Sequence, residues 1–200
     1  MRKFAVLLFA LIATGAKAQA IINADFVRTT PVVTRDEHGI ASCGLGILLM
    51  AAQGESKALV YDFSVALWNT TQGMIKAGSA SINYSKTKGW DVNKRIIRKP
   101  GPNLIWIAKR DDSVSLRPSK YINADTDGFV LSAAPGADTM ELIVMASRGE
   151  PMQVSFQYPN ERLHTVMGFR TTMSKDDQQA VLDCMGGLLK RLESDSTDNN

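Results

Sequence analysis

Cys43 and Cys184 are the only cysteines in this 200-residue chain, and they bracket a loop of about 140 residues. Cys43 opens an apolar run to Gln53 that ends at the turn-forming Gly54-Glu55-Ser56-Lys57. A short stretch that is apolar on both faces reads as a buried strand. Cys184 flanks a stripe of Val181, Met185, Leu188 and Leu192 at helical spacing, so it faces whatever that stripe covers. Both sulfurs therefore point toward one core. Two thiolates alone make a poor zinc site, and the only histidines are His38 and His164. A disulfide tying a C-terminal helix to the first core strand is the expectation. In the chain-entropy picture it contributes up to about 5 kcal/mol.

Such a bridge needs an oxidising compartment, and the N-terminus points to one. Arg2 and Lys3 precede an uncharged apolar run from Phe4 to Ala13, followed by Ala16-Lys17-Ala18 and Ala18-Gln19-Ala20. These are the three parts of an export signal with two overlapping cleavage frames. The apolar run is too short to span a bilayer, which needs roughly 20 residues. Residues 1–20 are thus expected to be a removed signal peptide, and the protein to be periplasmic or secreted with no transmembrane segment after cleavage. Removal also cancels the basic charge. The chain has 23 Lys and Arg against 20 Asp and Glu; Arg2, Lys3 and Lys17 leave with the leader, so the remainder is balanced at 20 and 20. A neutral exported domain is not expected to bind nucleic acid.

From residue 21 to 193 the pattern is that of one domain, with 194–200 a polar, disordered tail. Residues 21–42 read as an extended lead-in with a polar turn at Arg35 to Gly39. Leu59, Tyr61, Phe63, Val65 and Leu67 alternate with Asp62 and Ser64, as in a half-buried strand. Met74 to Tyr84 continues the series, and the intervening turns imply a meander. Val92 to Arg98 and Leu104 to Lys109 are strand candidates, parted by Lys99-Pro100-Gly101-Pro102-Asn103. Asp138-Thr139-Met140-Glu141 has capping-box spacing for a helix over 139–148, with Gly149 suited to its end, although Met140, Leu142, Val144 and Ala146 also fit a strand. Pro151 to Tyr158 and Leu163 to Thr172 form a hairpin. The final helix begins after Ser174, with Asp176 and Asp177 complementing its N-terminus and Lys190 and Arg191 its C-terminus. The fold class is α+β: a mostly antiparallel sheet or sandwich with a C-terminal helix packed on it.

Chemistry is sparser. His38 follows Asp36 and Glu37 and precedes Ser42, the residue types of a hydrolase triad, but all four crowd one short segment without a nucleophile-elbow frame. Asn123 to Gly128 alternates oxygen ligands like the start of a calcium loop, yet the twelfth positions are Ala134 and Gly136, which cannot ligate. Met140, Met145, Met152, Met167, Met173 and Met185 read as core filler rather than a copper surface. No metal or cofactor is expected. Residues 86–120 are rich in Lys and Arg, interleaved with Trp90 and Trp106. Lys94, Arg95, Arg98, Lys99, Lys109 and Arg110 are the candidates for binding an anionic surface; a solvated sheet face with buried tryptophans is the plainer alternative.

The function expected from these features is non-catalytic. A periplasmic accessory or adaptor protein would bind a protein partner, or an anionic lipid or glycan surface, in the envelope. A small periplasmic hydrolase using His38 is one alternative. An immunity or inhibitor protein that blocks an enzyme cleft is another.

Overall fold

Side chains alternating at every second position build the larger of two sheets. The computed structural model describes residues 21–197 except 70, 86–88, 92–93, 111–114, 119 and 162–164. Within them β2 (Phe26–Asp36), β3 (Gly39–Ala52), β4 (Lys57–Leu67) and β5 (Gln72–Ser85) form an antiparallel meander. The lead-in segment is thus itself a strand, joined to β3 by the two-residue turn Glu37-His38. Gly39 follows that turn at a φ of 116°, where a side chain would be strained. β11 (Val130–Pro135) lines one end of β5's other edge, and β10 (Ile122–Asn123) pairs outside it. β7 (Ile96–Ile97) takes over that edge at Ala80, and β6 (Gly89–Trp90) pairs with the last residues of β5. The strand expected over 92–98 is therefore reduced to two residues in its described part; residues 92–93 lie outside it.

A smaller sheet runs in the order β1 (Ile21–Asn23), β13 (Thr165–Phe169), β12 (Met152–Gln157), β8 (Leu104–Lys109) and β9 (Ser115–Leu116). Its pairs are antiparallel except β1 with β13, which is parallel. This sheet covers one half of the meander's inner face. The other half is covered by α1 (Gly136–Ser147) and α2 (Lys175–Thr197).

The core lies between these layers. Cys43, Leu45, Ile47 and Leu49 oppose Leu67, Val65, Phe63 and Tyr61 in register, and all are buried. Under the smaller sheet, Tyr61 and Phe63 meet Phe156 and Phe169. Under the helices, Cys43 and Cys184 form the expected disulfide, with Cα atoms 5.8 Å apart. The opposite face of the meander buries a smaller cluster of Leu48, Ala58, Val60, Ala80 and Ile82.

Both helices start for identifiable reasons. Ser174 caps α2 as expected: its Oγ accepts the Asp177 N–H at 3.0 Å. The box at Asp138 does not form. The helix starts earlier, at Gly136, with Pro135 as N-cap making no side-chain bond. Gly136 N–H instead donates to Thr71 O at 2.9 Å, and Thr139 Oγ1 turns back to Pro135 O at 2.7 Å. Tertiary contact to Thr71 thus satisfies an amide that a side chain would otherwise have to cap. Gly149, at a φ of 68°, ends α1 as expected. Lys190 and Arg191 do not sit in the last turn of α2, because the helix continues to Thr197. Arg191 reaches across to Asp36, at 3.0 Å, and to Ile40 O, at 2.9 Å, pinning the β2–β3 hairpin. Residues 194–197 of the expected tail are helical in backbone, and 198–200 lie outside the described residues. Among the described residues no helix is long and apolar enough to cross a membrane.

Candidate anion-binding cleft

Strand β8 divides the basic stretch. Arg98 lies near its Leu104 end, where Asn103 N–H donates to Gln157 O and Glu161 follows, and Lys109 and Arg110 leave its other end. Five residue steps of strand separate these by roughly 17 Å, and Arg95 sits at Asp62 on the meander's opposite face, so the six candidates do not form one patch. Most are occupied. Arg95 Nη1 pairs with Asp62 Oδ2 at 2.5 Å, Lys99 with Asp127, and Lys109 Nζ approaches Glu150 Oε2 at 3.6 Å. Arg98 pairs with Glu161 while its guanidinium lies 3.8 Å from the Tyr158 ring centroid. Beneath it, Tyr158 hydroxyl donates to Ser79 Oγ at 2.5 Å and Tyr61 hydroxyl to Thr165 O at 3.1 Å. Burial pushes both phenols above the usual tyrosine range. Arg98 thus seals one end of the sandwich. Lys94 is exposed, and residues Lys86 and Lys88 lie outside the described set.

At the far end of β8 the register assembles something different. On the outer face of the smaller sheet, Gln153 lies between Gly168 and Ala108, and Gly168 is opposite Asn23. One step beyond, strand parity sets Pro151 between Arg170 and Arg110; Arg110 N–H donates to Pro151 O at 3.1 Å. Here a cleft of about 400 Å³ opens, walled by Ile21, Val27, Pro151 and Phe169 with Arg110 and Arg170 among its polar lining. Gly168 suits its shape: a Cβ there would stand 3.1 Å from Asn23 Oδ1, so the Asn23 amide would have to shift slightly to admit it. Arg170 Nη1 donates to Gly149 O at 3.3 Å. Both arginines are exposed, and among the described residues neither has a carboxylate within ion-pair distance.

Arg170 was not among the sequence candidates. It stands 60 positions from Arg110, outside the basic stretch, and only the pairing of β13 through β12 to β8 puts the two side by side. Strand parity alone carried a weak signal, since Gly168 and Arg170 must share a face.

The other candidates are placed as follows. His38 stands exposed in the β2–β3 turn, its Nε2 3.4 Å from Glu37 Oε1. Its own N–H donates to Asp36 Oδ1 at 2.8 Å; that bond foremost, then Arg191, holds the Asp36 carboxyl below its usual range. Ser42 is buried on β3, its hydroxyl 2.6 Å from Thr34 Oγ1. His164 lies outside the described residues. The calcium-like segment directs its oxygens at lysines: Lys76 Nζ is 2.5 Å from Asp125 Oδ1 and 2.9 Å from Thr126 Oγ1. The Lys76 bond lowers the Asp125 carboxyl pKa. Among the described residues no group of three or more His, Cys, Asp or Glu converges. Met145, Met152, Met167 and Met185 are buried, and Met140 and Met173 pack against the same core.

Compared with known proteins, the chain matches no family model, and no curated protein or solved structure matches it.

Proposed function

We propose that the chain is a non-catalytic accessory protein of the periplasm or extracellular space, which holds an anionic group of an envelope partner between Arg110 and Arg170. The observation that carries this reading is the pair of exposed guanidiniums, without carboxylate partners among the described residues, flanking a cleft, on a protein whose other basic candidates are largely neutralised. Guanidinium forks match two-oxygen anions in geometry as well as charge. The disulfide supports the oxidising address, alongside the export-type N-terminus. A binding role accords with Ser42 being engaged by Thr34 while His38 stands in an exposed turn.

The test is binding to vesicles of phosphatidylglycerol and to neutral phosphatidylcholine vesicles. The protein should bind the anionic vesicles alone, less tightly as salt rises. Arg110→Gln with Arg170→Gln should weaken binding at least about tenfold, whereas Lys94→Gln should change it less than about twofold. Equal binding by wild type and the double variant overturns the assignment of the site.

A further inference from the structure

Resting on that reading, we infer that the cleft takes a single-chain anionic amphiphile: a carboxylate or phosphate head joined to an apolar stem. The charged and apolar parts of the lining point to the two parts of one molecule. Arg110 and Arg170 follow the strands on either side of the one that Pro151 precedes, and both line the cleft where a head group would lie. Below them the walls are Ile21, Val27, Pro151 and Phe169. Ile21 is 62 % exposed, an isoleucine left in water at the edge of a cavity. A free inorganic anion would satisfy the guanidiniums and leave this apolar wall wet. A neutral hydrocarbon would dry the wall and crowd two cations that have no carboxylate partner among the described residues. A molecule carrying both features does neither. The cleft's volume of about 400 Å³ lies within the roughly 300–1,000 Å³ typical of small-ligand sites, which is room for one short chain.

Titration calorimetry below the micellar concentration tests this with decanoate and decyl phosphate, the two sources of such a head. At least one should bind at one molecule per protein. Decanol and decyltrimethylammonium should bind at least about tenfold more weakly, as should inorganic phosphate relative to decyl phosphate. The Arg110→Gln, Arg170→Gln variant should lose at least about tenfold. Ile21→Ser should lose about three- to tenfold with its unfolding midpoint unchanged, because the side chain is already largely in water. If inorganic phosphate binds as tightly as decyl phosphate, or Ile21→Ser leaves amphiphile affinity unaltered, the inference fails while anion binding between the arginines stands. If neither amphiphile nor phosphate binds, and the vesicle experiment shows no dependence on the arginines, both fail together.

Discussion

The ring of Tyr61 lies on that of Phe156 with centroids 4.4 Å apart and planes inclined by 29°. Phe156 also meets Phe63 edge-on at 6.0 Å, so one side chain of the smaller sheet engages two neighbouring inward positions of β4. Replacing Phe156 with Ala should cost about 3–5 kcal/mol, the range for truncating a buried aromatic. Urea unfolding of the oxidised protein would measure it. A loss below about 1 kcal/mol would show that the two sheets do not depend on this contact.

Alkaline pH should destabilise the protein through Tyr61 and Tyr158. Burial holds both phenols protonated above 10.0, the ordinary value. Once unfolded they ionise near that pH, so the unfolded chain binds fewer protons than the native one and stability falls as pH rises. Below that region both states keep the proton and these groups add no slope. The slope per tyrosine is at most about 1.4 kcal/mol per pH unit. The decisive measurement is the difference between wild type and Tyr61→Phe from about pH 8 to about pH 11.5. Parallel stability curves would remove Tyr61 from the account.

Oxidised protein denatured without reductant should present no titratable thiol, and two thiols after reduction. Opening the bridge should lower stability by about 2–5 kcal/mol, since the unfolded chain regains the freedom of a long loop. In a Gram-negative host with export, intact mass should also show loss of residues 1–18 or 1–20. An unprocessed mass in the soluble fraction would end the proposed address.

Arg98 and Arg110 should part company under the same substitution. Arg98→Gln leaves Glu161 without its partner and uncovers Tyr158, so it should lower stability by about 0.5–2 kcal/mol and leave affinity for anionic vesicles nearly unchanged. Arg110→Gln should do the reverse. Matching effects on both properties would show that the basic stretch acts as one surface after all.

These contrasts mark what could be read from residues alone. The inward face of β4, the Ser174 cap and the cysteine pairing were legible because each depends on local periodicity or on chemistry that two residues complete by themselves. The start of α1 was not: its first amide is satisfied by Thr71, a partner no helical pattern announces. The cleft was hidden for the same kind of reason. Arg110 lay within a visible run of charge, but Arg170 acquires its meaning only through the register of β13 on β12 and β12 on β8, which is a tertiary fact. Conversely, the basic run looked like a surface because sequence displays Lys99 and Arg95 without displaying Asp127 and Asp62, their remote counterions.

The 141-residue interval between Cys43 and Cys184 also sets a clock. A chain delivered N-terminus first into an oxidising compartment presents one thiol long before the other arrives, and it holds no third cysteine with which to mispair. Sulfur oxidation within the chain therefore awaits delivery of α2, whereas a product truncated ahead of that helix keeps a lone thiol. Chains with and without α2 thus differ in redox chemistry.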